Sequence, residues 1–215
     1  MASSQTHLIA AIETLRQCGF FESSSGKTND QIATSLLENL RNRTPSEPFF
    51  QEYPECSFDQ ELLTTFSEPA NAESYKTLAK EDGTRVWYGD LEADVFEGNQ
   101  VYERVVAEYA ALSMGYLQPT TVTETWLAEE GPVMISLTHE GRQFTTELPY
   151  YDDWIAGELF TFLDDTMRSL GFPSTIHAEV NQGQDAFLVR ATELELTQMK
   201  ERLGWIFDLD ELPRE

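Results

Sequence analysis

Apolar residues recur three and four positions apart through the first third of the chain and at alternate positions in much of the remainder, so the pattern changes period part-way along. Over residues 4–18, Leu8, Ile9, Ile12 and Leu15 share one helical face, and Gly19 offers the left-handed residue that commonly ends a helix. Thr28 and Gln31 have the spacing of a capping box ahead of Ile32, Leu36, Leu37 and Leu40. A connector from Thr44 to about Phe58 follows, interrupted by Pro45, Pro48 and Pro54 and carrying Phe49, Phe50 and Tyr53. A further helix is predicted near 71–81, ending at Gly83.

From Arg85 onward the signals mix. Val86–Val95 reads as a strand, and Asn99 is placed to cap a helix carrying Val101, Val105, Val106, Tyr109 and Leu112, closed by Gly115. Residues 120–126, 133–139 and 143–148 are short β-branched or alternating runs, the last two joined by Glu140-Gly141-Arg142 as a hairpin. Asp152 or Asp153 is expected to cap a long helix holding Trp154, Ile155, Leu159, Phe162, Leu163 and Leu170, stopped by Gly171 and Pro173. Strands at 175–180 and 186–191 precede a final helix, opened by a Thr192/Glu195 capping box and ended at Gly204. The order from residue 133 is strand, strand, helix, strand, strand, helix. That order predicts an α+β fold: an antiparallel sheet with helices packed on one face, preceded by a small helical region. The expected division is 1–83, helical with its aromatic connector, and 84–215, the α+β part.

Charge sharpens this picture. The 215 residues carry 38 Asp and Glu against 14 Lys and Arg, a formal net charge of −24, with −7 on residues 1–83 and −17 on the remainder. Such a field repels nucleic acid and anionic lipid at long range and favours cations and basic proteins. Only four of the basic residues are lysines, a balance that adaptation to salt also produces. Hydrophobic residues at 40% and aromatics at 12% suffice for a packed core. Cys18 and Cys56 form no CxxC pair, and neither a leader nor a membrane span is evident, so a reducing, cytoplasmic location is the expectation.

Candidate chemistry is sparse. On a strand, Asp90, Glu92 and Asp94 share one face with about 7 Å between successive members, a set of hard oxygen ligands suited to Mg²⁺ or Mn²⁺. The same spacing describes the solvated face of an edge strand. A calcium loop fails, because Val95 and Val101 stand where Gly and Glu are required. Ser25-Gly26-Lys27-Thr28 lacks the first glycine of a phosphate loop, Phe21 standing in its place. His7 lies in the first helix and His139 beside a turn, while His177 is expected on the polar side of its strand with Thr175 and Glu179. No signature of nucleophilic catalysis occurs, so no catalytic residue is named. Asp164 and Asp165 lie mid-helix, where aspartate is a poor helix former, so exposure there marks them as candidate binding residues beside Tyr150, Tyr151, Asp152 and Asp153. Tyr150 and Tyr151 beside Asp152 and Asp153 combine aromatic and acidic character, the composition of a rim for basic proteins.

The expectation is therefore a non-enzymatic interaction protein without a cofactor, engaging a basic protein as an inhibitor, an immunity-like partner or a mimic of nucleic acid. Two alternatives stand beside it. One is a Mg²⁺- or Mn²⁺-dependent hydrolase or phosphoryl-transfer enzyme using Asp90, Glu92 and Asp94; the other is an assembly protein acting as a homodimer.

Overall fold

A computed structural model describes residues 3–179 and 183–207. The helices among them are α1 (Ser4–Gln17), α2 (Asn29–Arg43), α3 (Pro48–Glu52), α4 (Phe58–Thr65), α5 (Ala72–Ala79), α6 (Val101–Ala110), α7 (Glu158–Ser169) and α8 (Glu193–Leu203). The strands are β1 (Val86–Asp90), β2 (Thr121–Trp126), β3 (Val133–His139), β4 (Arg142–Leu148), β5 (Thr175–Ala178) and β6 (Asp185–Ala191). The fold is α+β, and its strands form two antiparallel sheets of three, β1–β6–β5 and β2–β3–β4. The expected order from residue 133 is present, but its strands divide between two sheets: β6 pairs with β1 instead of continuing from β4.

The chain forms two compact units. One comprises the described residues up to Asp82 together with Glu193–Ile206, and the other Gly83–Thr192 with Phe207. The helical unit holds α1–α5. Thr28 caps α2 in a complete capping box with Gln31, and Asn71 caps α5 in another with Ser74. The Pro-rich connector contains α3 and leads into α4, a helix too short and too closely flanked by prolines to stand out in the sequence. Helix α8, expected on the sheets, packs with these helices instead. After it, Trp205 lies edge-on to Phe20 at 5.8 Å and donates its indole N–H to the Ala72 carbonyl at 3.2 Å. In the same unit Arg41 donates twice to the buried Asp59 carboxylate, at 3.0 and 2.7 Å. Burial opposes ionisation of Asp59, yet the hydrogen bonds from Ser57 and Arg41 hold it below the ordinary carboxylate value.

In the sheet unit, α6 contacts β2 and α7 contacts β4. β3 alternates strictly, with Val133, Ile135, Leu137 and His139 buried and the residues between them half-buried. These face a core built from Tyr102, Val105 and Tyr109 of α6 and Leu159, Leu163 and Met167 of α7. The hairpin between β3 and β4 turns on Glu140 and Gly141, both at positive φ, which suits the right-handed twist of the strands. The start of α6 differs from expectation. Gln100, not Asn99, stands at the N-cap with no side-chain bond to the helix, and Asn99 spends its amide on the Asp94 carbonyl. The first-turn donor Tyr102 N–H is met instead by Glu124 Oε2 of β2 at 3.0 Å, and Glu103 Oε1 accepts from Glu124 N–H at 3.1 Å. Helix and strand thus cap each other across 22 residues of sequence.

Candidate interaction surface

Strand β1 ends at Asp90, which overturns the reading of Asp90, Glu92 and Asp94 as alternate members of one strand. The cause is local. Asp90 Oδ1 accepts from Glu92 N–H at 2.9 Å, a side-chain turn that competes with the ladder, and Asp94 adopts a left-handed φ of 51°. Exposure still alternates, with residues 90, 92, 94 and 96 outside and Leu91, Ala93 and Val95 inward. Among the described residues no three His, Cys, Asp or Glu side chains converge as a metal site requires.

Asp152 and Asp153 do not cap α7, which begins six residues after Asp152 with Gly157 at its N-cap. Their segment is held by a distant partner. Ala93 N–H donates to the Asp153 carbonyl at 2.8 Å, Ile155 N–H donates to the Leu91 carbonyl at 2.8 Å, and Glu92 bridges Trp154. Trp154 N–H closes a tight turn on the Tyr151 carbonyl, with Asp152 at φ 57°. This ladder of backbone bonds draws two clusters, about 60 residues apart in sequence, into one ledge.

The ledge is acidic and aromatic. Asp90, Glu92, Asp94, Asp152, Asp153 and Glu158 are exposed, and no ion pair among the described residues touches them. Phe96 (53% exposed), Tyr151 (49%), Trp154 (41%) and Tyr88 (40%) lie in the same segments. Glu158 Oε1 accepts from Tyr151 O–H at 2.9 Å, and that bond raises the Tyr151 phenol above its ordinary value. Asp152 Oδ1 accepts from Tyr150 O–H at 3.3 Å, while the Tyr150 ring meets Trp126 edge-on at 5.3 Å. Burial, then the hydrogen bond to Asp185, raises the Tyr88 phenol.

Trp154, Phe96, Tyr88 and Glu158 were not legible as site residues. Trp154 fits the apolar face of the expected helix, and only its pairing with Glu92 turns it outward. Tyr88 and Phe96 did carry a signal, since they alternate with Asp90, Glu92 and Asp94.

Asp164 and Asp165 serve different ends. Asp164 Oδ1 accepts from the buried Tyr109 O–H at 2.7 Å, which anchors α7 to α6. Burial pushes the Asp164 carboxyl up to about 6, against the hydrogen bond from Tyr109 and the attraction of Arg168, and lifts the Tyr109 phenol as well. Asp165 is exposed and pairs with Arg168 at 2.6 Å. His177, expected on a polar face, is buried, with Thr175 Oγ1 at 2.5 Å from Nε2 and the Phe207 ring edge-on at 6.2 Å. His139 is buried too, its Nδ1 3.1 Å from the Gln118 backbone N–H. No helix among the described residues is long and apolar enough to cross a membrane.

No protein-family model matches the chain, and no curated protein or solved structure does either.

Proposed function

We propose that this chain is a binding protein that holds a basic protein partner on the ledge formed by residues 88–97 and 150–158. One observation carries the reading: exposed carboxylates without basic counterparts are interleaved with four exposed aromatic rings where two distant segments pair. The carboxylates steer a basic partner and raise its on-rate. The rings supply the apolar area that charge alone lacks, and Tyr and Trp are favoured anchors of interfaces. Fixed acceptors at Glu158 and Asp152 hold Tyr151 and Tyr150, which lowers the entropy lost on docking. An inhibitor or immunity-like role, in which the acidic surface stands in for nucleic acid on a basic protein, agrees with this chemistry.

The test is affinity capture by the immobilised chain at low and high salt, with Trp154→Ala and Asp153→Asn as paired controls. A basic protein retained at low salt, weakened at ionic strengths where the Debye length falls below about 10 Å, and lost from the Trp154→Ala chain would support the reading. Capture that neither substitution alters would refute it.

A further inference from the structure

The two edges of the sheet β2–β3–β4 are finished differently. In an antiparallel ladder, alternate residues turn N–H and C=O toward the neighbouring strand and those between turn them away. Leu127 N–H bonds the Pro132 carbonyl at 3.0 Å, so along β2 the outward groups belong to Val122, Glu124 and Trp126. The central outward donor, Glu124 N–H, is occupied by Glu103. Along β4 the two-residue turn makes His139–Arg142 the closing bonded pair, which leaves Gln143, Thr145 and Glu147 pointing outward. All three are exposed, and no hydrogen bond among the described residues reaches their backbone groups.

A groove of about 650 Å³ lies between β4 and α7 beside that open edge. Phe144 and Phe162 give it apolar lining, and Arg142 lies over the Phe144 ring at 4.9 Å. Glu147, Glu158 and Asp165 add three carboxylates to the lining; Asp165 is paired with Arg168, which leaves Glu147 and Glu158 without a basic partner among the described residues. Glu158 is also the acceptor for Tyr151, so the groove is continuous with the ledge.

We propose that β4 takes an extended segment of the basic partner as a fourth strand, with alternate side chains entering the groove beside α7. The inference rests on the partner reading above and specifies the form in which the partner is held. Backbone bonds to Gln143, Thr145 and Glu147 give affinity, and the groove selects the side chains. Apolar residues suit Phe144 and Phe162, and Lys or Arg suits Glu147 and Glu158. The open edge is seven residues long, about 23 Å of extended chain.

Selection of a displayed library of random peptides, about nine residues long to cover the edge, on the full chain tests this directly. Thr145→Pro is the key variant, because Thr145 N–H belongs to no ladder bond and proline is tolerated on edge strands. Enriched peptides should alternate Lys or Arg with Val, Ile, Leu or Phe. They should bind the Thr145→Pro chain about ten-fold or more weakly, the loss of roughly one good interaction. On binding, the Gln143, Thr145 and Glu147 amides of the unsubstituted chain should become protected from hydrogen exchange. Failure to enrich any peptide would overturn the proposal. Peptides that ignore Thr145→Pro but weaken on Trp154→Ala would sink strand addition and leave the ledge standing; peptides indifferent to both would sink the two readings together. Should Thr145→Pro fail to fold, peptides N-methylated at alternate amides make the same test on the unsubstituted chain, where unchanged affinity refutes the proposal.

Discussion

Asp164 offers a test of the electrostatics with a sign that is easy to mistake. A buried carboxylate is usually held ionised by its partners, but here burial wins and the folded value rises to about 6 from 3.8. Below the unfolded value both states hold the proton, and Asp164 contributes nothing to the pH dependence. Between 3.8 and 6 the unfolded chain ionises first, so stability falls as pH rises, and above 6 the penalty is constant. The unscreened penalty grows from about 1.6 kcal/mol at pH 5 to about 3 kcal/mol at pH 7.5, at 1.36 kcal/mol per pKa unit. Water on the open side of the half-buried carboxyl reduces the plateau to about 1–2 kcal/mol.

Asp164→Asn removes the charge and keeps an amide oxygen for the Tyr109 hydroxyl. The variant should therefore be more stable than the native chain at pH 7.5, by about 1–2 kcal/mol, or a few degrees in Tm for a chain of this size. Its advantage should shrink by about half at pH 5. Urea unfolding followed by tryptophan fluorescence, with both proteins compared at each pH, isolates the effect from the titration of the other carboxylates. A variant less stable at pH 7.5, or a difference that does not change with pH, would refute the reasoning. The first result would mean that the ionised Tyr109–Asp164 bond outweighs desolvation.

Two further substitutions probe the framework that positions the surface. Glu124→Ala leaves Tyr102 N–H and the Trp126 indole N–H without their acceptor and should lower stability by about 1–2 kcal/mol in urea titrations, while Glu124→Gln should lose less. Gly89→Ala would set a methyl group 2.8 Å from the Trp87 indole, which cannot swing aside because its N–H is held by Glu108 at 3.0 Å. A loss of about 1–3 kcal/mol and altered tryptophan fluorescence are expected, and an unchanged Tm would show that the ring moves freely.

What the sequence reveals depends on how far apart the deciding residues lie. The Thr28/Gln31 box and the Glu140-Gly141 turn are settled within four residues, and both are present in the structure. Helix α7 and strand β1 differ from the sequence expectation at the ends that face each other, because the pairing of 91–93 with 153–155 decides both. Asp152-Asp153 has the composition of a helix cap, yet the Leu91 and Ala93 backbone groups take that segment first. The start of α6 was similarly opaque, since its capping carboxylate comes from β2. The acidic half of the ledge was therefore visible as composition, while its assembly was not. The open edge of β4 follows from hairpin register, but the groove beside it requires knowing where α7 lies.

Adaptation to salt explains a surplus of carboxylates, but it calls for no exposed aromatic rings. A surface selected only for hydration would spread its acids and bury Trp154, Tyr151, Phe96 and Tyr88, each of which exposes apolar area that water disfavours. In the helical unit three of the acids are answered by bases: Asp59 by Arg41, Glu81 by Arg43, Glu73 by Lys76. On the ledge they are not, and mutual repulsion among Asp90, Glu92, Asp94, Asp152 and Asp153 works against the backbone pairing that gathers them. A sheet unit that tolerates this repulsion, guards one edge of a sheet with Glu103 and leaves the other open supports the proposal that a cationic chain completes it. Neutralising the ledge should accordingly stabilise the free protein while weakening its hold on a partner, two effects of opposite sign that general solubility would not couple.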